Sequence, residues 1–127
     1  MGPQGRRSVG DLSENLWSYE VACKCGCGFK DMAQETIDVV QDLCDHFESR
    51  VRVYSGCRCE AYNKKIGGAK ASQHTKGTAM DIGIITVTPK EVQEYLLEKY
   101  KGKYGIGRYH SFTHIDTRTQ EARWSEL

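Results

Sequence analysis

No stretch of the sequence stays apolar long enough to cross a bilayer. The longest such run, Ile82–Val87, is broken by Gly83 and Thr86 and falls far short of the roughly 20 residues a membrane helix needs. Membrane insertion is therefore not expected. An excess of charge of one sign is lacking too: 18 Lys plus Arg stand against 17 Asp plus Glu, for a net charge of +1. A chain so balanced has no uniform field to draw it to nucleic acid or to an anionic lipid surface, and nucleic acid is not expected as a partner. There is no internal repeat and no low-complexity tract. Residues 1–10 contain a single Val and no apolar core of the kind a secretory signal carries, so they are expected to form a loose tail.

What is present is the ordinary balance of a globular chain. Hydrophobic residues make up 39% and charged residues 28% of 127 positions, enough for one core and one domain, expected over residues 11–127. From Asp31 to Ser49 the apolar Ile37, Val40, Cys44 and Phe47 recur at helical spacing with Leu43 beside them, and Asp31 with Gln34 is read as a capping pair. Val51-Arg52-Val53-Tyr54 alternates like a strand and ends at the turn Ser55-Gly56. Glu60–Ile66 predicts a short helix stopped by Gly67-Gly68, and Thr78–Ile85 a buried strand. Thr88-Pro89-Lys90-Glu91 supplies an N-cap, a first-turn proline and an N3 glutamate for a helix running to about Tyr100. Its apolar face is Val92, Tyr95, Leu96 and Tyr100. Tyr104–Tyr109 and Phe112–Thr117 predict two strands joined at His110-Ser111. This order predicts an α+β domain, with helices packed on a small, largely antiparallel sheet.

Candidate chemistry gathers on the last strands. His74 precedes Asp81 by seven positions, too far for one helical turn, with Gly77 between them to bend the chain back and Ala79 leaving space. His114 and Asp116 are two apart in an alternating strand and so face the same side. If that strand neighbours the one bearing Asp81, two imidazoles and a carboxylate can form a three-ligand zinc site whose fourth position is open to water, the catalytic kind. Spacing alone leaves the alternative of surface or hydrogen-bonded structural residues.

These residues sit in motifs with a wider resemblance. The run Ser72-x-His74-x-x-Gly77-x-Ala79-x-Asp81, the late His114, and the upstream Ser55-Gly56-Cys57-Arg58-Cys59, Tyr62-Asn63 and Gly67-Gly68-Ala69 appear in that order, after Cys23-Lys24-Cys25-Gly26-Cys27-Gly28-Phe29. Over residues 19–118 the chain resembles the zinc D-alanyl-D-alanine carboxypeptidases and L-alanyl-D-glutamate endopeptidases, which share their fold with the hedgehog signalling domain. The resemblance implies a hedgehog/DD-peptidase-like fold, Zn2+ held by His74, Asp81 and His114, and peptidoglycan peptides as substrate. It also implies action at the bacterial cell wall, in the periplasm or outside the cell, by a bacterial or phage-encoded enzyme, and a monomer is expected.

Arg58 maps onto the substrate-orienting arginine of the group, a role suited to a guanidinium that grips a carboxylate through two parallel hydrogen bonds. Ser72 maps onto a serine that contacts substrate or supports the site, and Tyr109 is a candidate hydrogen-bond donor to a developing oxyanion. Many members of the group carry a carboxylate three positions before the last ligand, where this chain has Ser111. Asp116 and His110 are therefore the candidates for the general base, with Asp116 alternatively a group that orients a ligand histidine. A binding module that keeps the metal and has lost catalysis is the competing reading.

Six cysteines remain. Cys44 reads as a packed thiol on its helix. Cys25 or Cys27 could pair with Cys59 in a disulfide, and the Cys-x-Cys-x-Cys run could hold a metal although it lacks the usual two-residue knuckle spacing. Sequence leaves both open.

Overall fold

A computed structural model describes residues 9–127; most of the expected tail, residues 1–8, lies outside the described residues. The elements are α1 (Ser18–Val21), α2 (Gln34–Phe47), β1 (Val51–Ser55), α3 (Glu60–Lys65), a 3-10 turn (Gln73–Lys76), β2 (Ala79–Ile84), α4 (Pro89–Lys99), β3 (Gly105–Tyr109), β4 (Thr113–Asp116) and β5 (Ala122–Glu126). The α+β architecture is the one expected. Three elements were not legible: α1 and the 3-10 turn, each a single turn, and β5.

Helix α2 buries Ile37, Val39, Val40, Leu43 and Cys44 along one face, the stripe its spacing predicts. It starts later than expected. Ala33 is the N-cap and offers no side-chain bond, so the Asp31–Gln34 capping pair does not form; Gln34 instead lies in the first turn and donates to Asp38 at 2.9 Å. Helix α4 begins as its sequence dictates. Thr88 Oγ1 accepts from the Glu91 amide at 3.2 Å, and the Glu91 carboxylate accepts from the Thr88 amide at 3.4 Å, which satisfies two otherwise orphaned donors. Its inner face is Val92, Gln93 and Leu96. Tyr95 and Tyr100, expected on that face, are only half-buried and turn their hydroxyls to Asp42 of α2.

The sheet runs β1-β2-β4-β3-β5. The first three pairings are antiparallel and β5 joins β3 in parallel. Met80, Ile82, Ile106 and Ile115, all fully buried, belong to one core cluster with α2 and α4 residues. Alternation along each strand sends the intervening residues to the other side. There the register aligns Ser55 with Asp81, Asp81 with His114, His114 with Gly107 and Gly107 with Trp124, one row across all five strands. Gly107 is what lets the row close at its far end, because a Cβ there would meet the Trp124 indole at 2.5 Å.

Candidate metal centre

Three elements deliver the three candidate ligands. His74 sits in the 3-10 turn, where Ser72 is the N-cap and its hydroxyl accepts from the His74 amide at 3.1 Å. Gly77, at φ 72°, ends that turn and the chain enters β2 at Ala79, so the seven-residue separation is taken up as a fold-back. Asp81 lies mid-strand in β2 and His114 opposite it in β4. One ligand atom from each of His74, Asp81 and His114 lies within 4.8 Å of the others, and all three residues are buried.

The hydrogen bonds around this group fix which atoms face inward. His74 Nδ1 is 2.7 Å from the Gly56 carbonyl oxygen, which can only accept, so Nδ1 carries the proton and Nε2 turns its lone pair to Asp81 Oδ2 at 3.3 Å. His114 Nε2 lies 2.7 Å from Asp116 Oδ2 and Nδ1 lies 2.9 Å from Asp81 Oδ1. With Nε2–H donating to Asp116, Nδ1 also faces Asp81 as a lone pair. Two imidazole nitrogens and both Asp81 oxygens thus converge as acceptors, an arrangement that calls for a proton or a cation at its centre. Where a proton fills that place, it bonds the histidines to Asp81: burial alone would raise the Asp81 pKa, but such bonds from His114 and His74 outweigh it and hold the carboxyl well below its usual range. Burial lowers that of His114, and its contacts with Asp116 and Asp81 reverse the shift upward. The donor set fits a divalent metal, with each histidine's second nitrogen tied to an acceptor as metal-ligating histidines characteristically are.

The group forms part of the wall of an open cleft of about 520 Å³, whose lining includes Arg58, Lys70, Tyr109, Phe112, Arg118 and Trp124. Arg58 donates Nε to Ser55 Oγ at 3.2 Å and Nη1 to Asn63 Oδ1 at 3.1 Å, and carries Nη2 to 3.6 Å from Asp81 Oδ2. Its acidic neighbour is Asp81 rather than a surface carboxylate. Among the described residues lining the cleft, Asp81 is the only carboxylate, against Arg58, Arg118 and Lys70. The lining therefore favours an anionic group on whatever enters.

The family model of peptidase M15 matches residues 14–116, a span that contains every one of the candidate ligands and Arg58. The chain belongs to the peptidase M15 family. A search of curated proteins finds no match. Membership implies a peptidase acting on a peptide substrate, and the His74, Asp81 and His114 group is one that could hold the metal of an M15 peptidase.

The other residues singled out from sequence are placed as follows. Tyr109 lines the cleft, stacks on Phe112 at 4.3 Å between centroids, and accepts from Trp124 Nε1 at 3.0 Å. Ser72 lines the cleft as well as capping the turn. Asp116 is completely buried. Its Oδ1 accepts from the Arg118 amide and Nε, and its Oδ2 from Arg118 Nη2 as well as facing His114. Its carboxylate meets the cleft through His114 and Arg118, which both line it. His110 is exposed on the β3–β4 turn and does not line the cleft.

Three contributors escaped the sequence reading. Arg118 and Trp124 follow the last motif, and the alternation of Ala122–Glu126 is too polar to announce a strand. Gln93 lies on the apolar face of α4, yet its buried amide donates to the Tyr109 and Phe112 carbonyls and to Thr113 Oγ1. It pins the hairpin that carries His114. A buried Gln among apolar helix positions was the available signal.

Proposed function

We propose that this M15 chain is a zinc-dependent peptidase that hydrolyses a peptide bond next to a D-amino acid in peptidoglycan stem peptides, as a carboxypeptidase or as an endolysin-like endopeptidase. The observation that carries the reading is the convergence of His74 Nε2, His114 Nδ1 and the Asp81 carboxylate on one point at the wall of a basic cleft. Two imidazoles and one carboxylate make a catalytic rather than a closed structural zinc site, since a position is left for water or substrate. Zn2+ held there would polarise a peptide carbonyl and bring the pKa of a bound water down to about 7.

The chain's own residues then bind the substrate and position the ligands. Arg58, aimed by Ser55 and Asn63, holds the stem-peptide carboxylate. Tyr109 accepts from Trp124 and keeps its own proton free to donate to the oxyanion. Ser72 aligns His74 through the turn. Asp116 is a positioning residue: it selects the His114 tautomer that turns Nδ1 inward. His110, away from the cleft lining, has no part in proton transfer in this scheme. The enzyme works as a monomer at the bacterial cell wall.

The absence of a second carboxylate among the described cleft-lining residues favours one competing reading, a cell-wall-binding module that retains the metal without catalysis. Mass spectrometry of muropeptides released from purified sacculi separates the two. Release that requires zinc, stops on chelation and is lost in His74→Ala is the expected result, and the fragment masses name the bond cut. Sacculus binding without release, with His74-dependent zinc present, would transfer the assignment to the binding module.

A further inference from the structure

Four of the six cysteines meet outside the cleft. Cys23, Cys25 and Cys27 lie on the loop after α1, and Cys59 is the N-cap of α3. Their four sulfurs lie within 4.8 Å of one another. Cys23 and Cys25 sulfurs are 3.5 Å apart and those of Cys25 and Cys59 are 3.6 Å apart, with all six cysteines free. A tetrahedron of thiolates around zinc, with bonds of about 2.3 Å, has sulfur–sulfur edges of about 3.8 Å. The observed spacing is that of ligands sharing an ion.

The backbone around the cluster is arranged for negative sulfur. The Cys59 amide donates to Cys23 Sγ at 3.3 Å, and the Tyr62 amide donates to Cys59 Sγ at 3.4 Å. Such N–H donors partly neutralise thiolates gathered on a metal. Alternating cysteines in an extended strand would diverge from any ion at its middle, and here the run is not extended. Gly26 and Gly28 adopt φ of 85° and 95°, the Gly26 amide donates to the Cys23 carbonyl at 3.2 Å, and Cys23 donates to the Phe29 carbonyl at 2.8 Å. The loop is curled so that three sulfurs return to one side. The other two cysteines, Cys44 and Cys57, are buried in the hydrophobic core and take no part.

We propose that Cys23, Cys25, Cys27 and Cys59 bind a structural zinc ion in a closed four-thiolate site, separate from the His74, Asp81 and His114 group. Four protein ligands leave no position for water, so this ion is not catalytic. It joins the loop at residues 23–27 to the segment Cys57-Arg58-Cys59, which is otherwise held by the Cys57 amide on the Val21 carbonyl at 2.8 Å and the Arg58 amide on the His74 carbonyl at 3.1 Å. The ion therefore braces the residue that follows Arg58. The proposal does not depend on the peptidase reading.

The test is metal stoichiometry on the whole chain, purified with its thiols reduced, together with X-ray absorption at the zinc edge. A His74→Ala/His114→Ala double variant should retain one zinc per chain, in a shell of four sulfurs at about 2.3 Å. Cys25→Ser/Cys27→Ser, which alters the two exposed ligands, should lose that ion, and with it the near-ultraviolet thiolate charge-transfer absorption seen when Co2+ replaces zinc. No zinc in the histidine variant, nitrogen or oxygen in its shell, iron as the resident metal, or an intact mass lowered by the hydrogens lost to disulfides would each overturn the proposal. Because the histidine variant leaves every cysteine in place, the decision does not require the cysteine variant to fold.

Discussion

Replacing Asp116 with asparagine removes one charge and almost no volume, and its consequences can be worked out atom by atom. Oδ1 accepts from the Arg118 amide and Nε at 3.1 and 2.8 Å, a pattern the asparagine oxygen can reproduce. The new NH2 must then stand where Oδ2 lay 2.7 Å from both Arg118 Nη2 and His114 Nε2. Against Arg118 two donors meet, and the loss of one charge-assisted bond in a buried place costs about 1.5–3 kcal/mol of stability. Against His114 the amide can donate only if Nε2 gives up its hydrogen, which moves the proton to Nδ1. That is the nitrogen facing Asp81 at 2.9 Å, so the favoured tautomer is the one that cannot ligate. Affinity for the His74-dependent zinc should fall about 10–100-fold, or roughly 1.4–2.7 kcal/mol. Competition against a chromophoric chelator measures it, with urea unfolding of the metal-free chain giving the stability change separately. Unaltered zinc affinity in a folded Asp116→Asn protein would refute the tautomer argument. An affinity loss with His110→Ala would show that the turn takes part after all.

Two further perturbations test the packing around the site. Asp42 joins α2 to α4 by accepting from Lys99 at 2.7 Å, Tyr95 at 2.8 Å and Tyr100 at 3.0 Å. Burial would raise its pKa, but these donors outweigh burial and lower it. A carboxylate depressed in the folded state contributes stability above its unfolded pKa of about 3.9 and loses it as the pH falls through the lower, folded value. The stability gap between the native chain and Asp42→Asn, read by urea unfolding, should accordingly narrow from neutral pH to about pH 3, and a gap independent of pH would contradict the assignment. Gly107→Ala places a methyl 2.5 Å from the Trp124 ring, whose Nε1 is tied to Tyr109 at 3.0 Å. It should cost about 1–3 kcal/mol and shift tryptophan fluorescence; an unchanged spectrum with unchanged stability would mean that β5 yields freely.

What was legible in the sequence follows the strength of local signals. The α4 start was readable because Thr88, Pro89 and Glu91 act within one turn, and α2 because its stripe of apolar residues is long. Its first residue was misplaced because the chain before it is held elsewhere: the Ala33 amide bonds the Gly77 carbonyl at 2.7 Å, a partner 44 positions away. The pairing of β2 with β4 was expected only conditionally, and it is this contact that brings Asp81 to His114. Arg118 and Trp124 could not be found from motifs, since the position of each depends on tertiary partners, Asp116 for one and the space over Gly107 for the other. The cysteine cluster was left open for a related reason. The turn at Gly26 and Gly28 and the approach of Cys59 create a set of sulfurs that linear spacing does not disclose.

The single row from Ser55 to Trp124 across the sheet has a bearing on quality control. Strand side chains alternate between faces, so sliding β4 by one residue against β2 would turn His114 toward the helices and present Thr113 or Ile115 in its place. A sheet mispaired between β2 and β4 cannot assemble the acceptor cluster. Because Asp81 and His114 meet only when β2–β4 is in register, occupancy by a metal would report correct pairing of the two strands at the centre of the sheet. Nascent chains could be sorted by that property alone: a correctly paired chain holds the ion and gains its binding energy, while a slipped one goes without it and stays open to proteolysis.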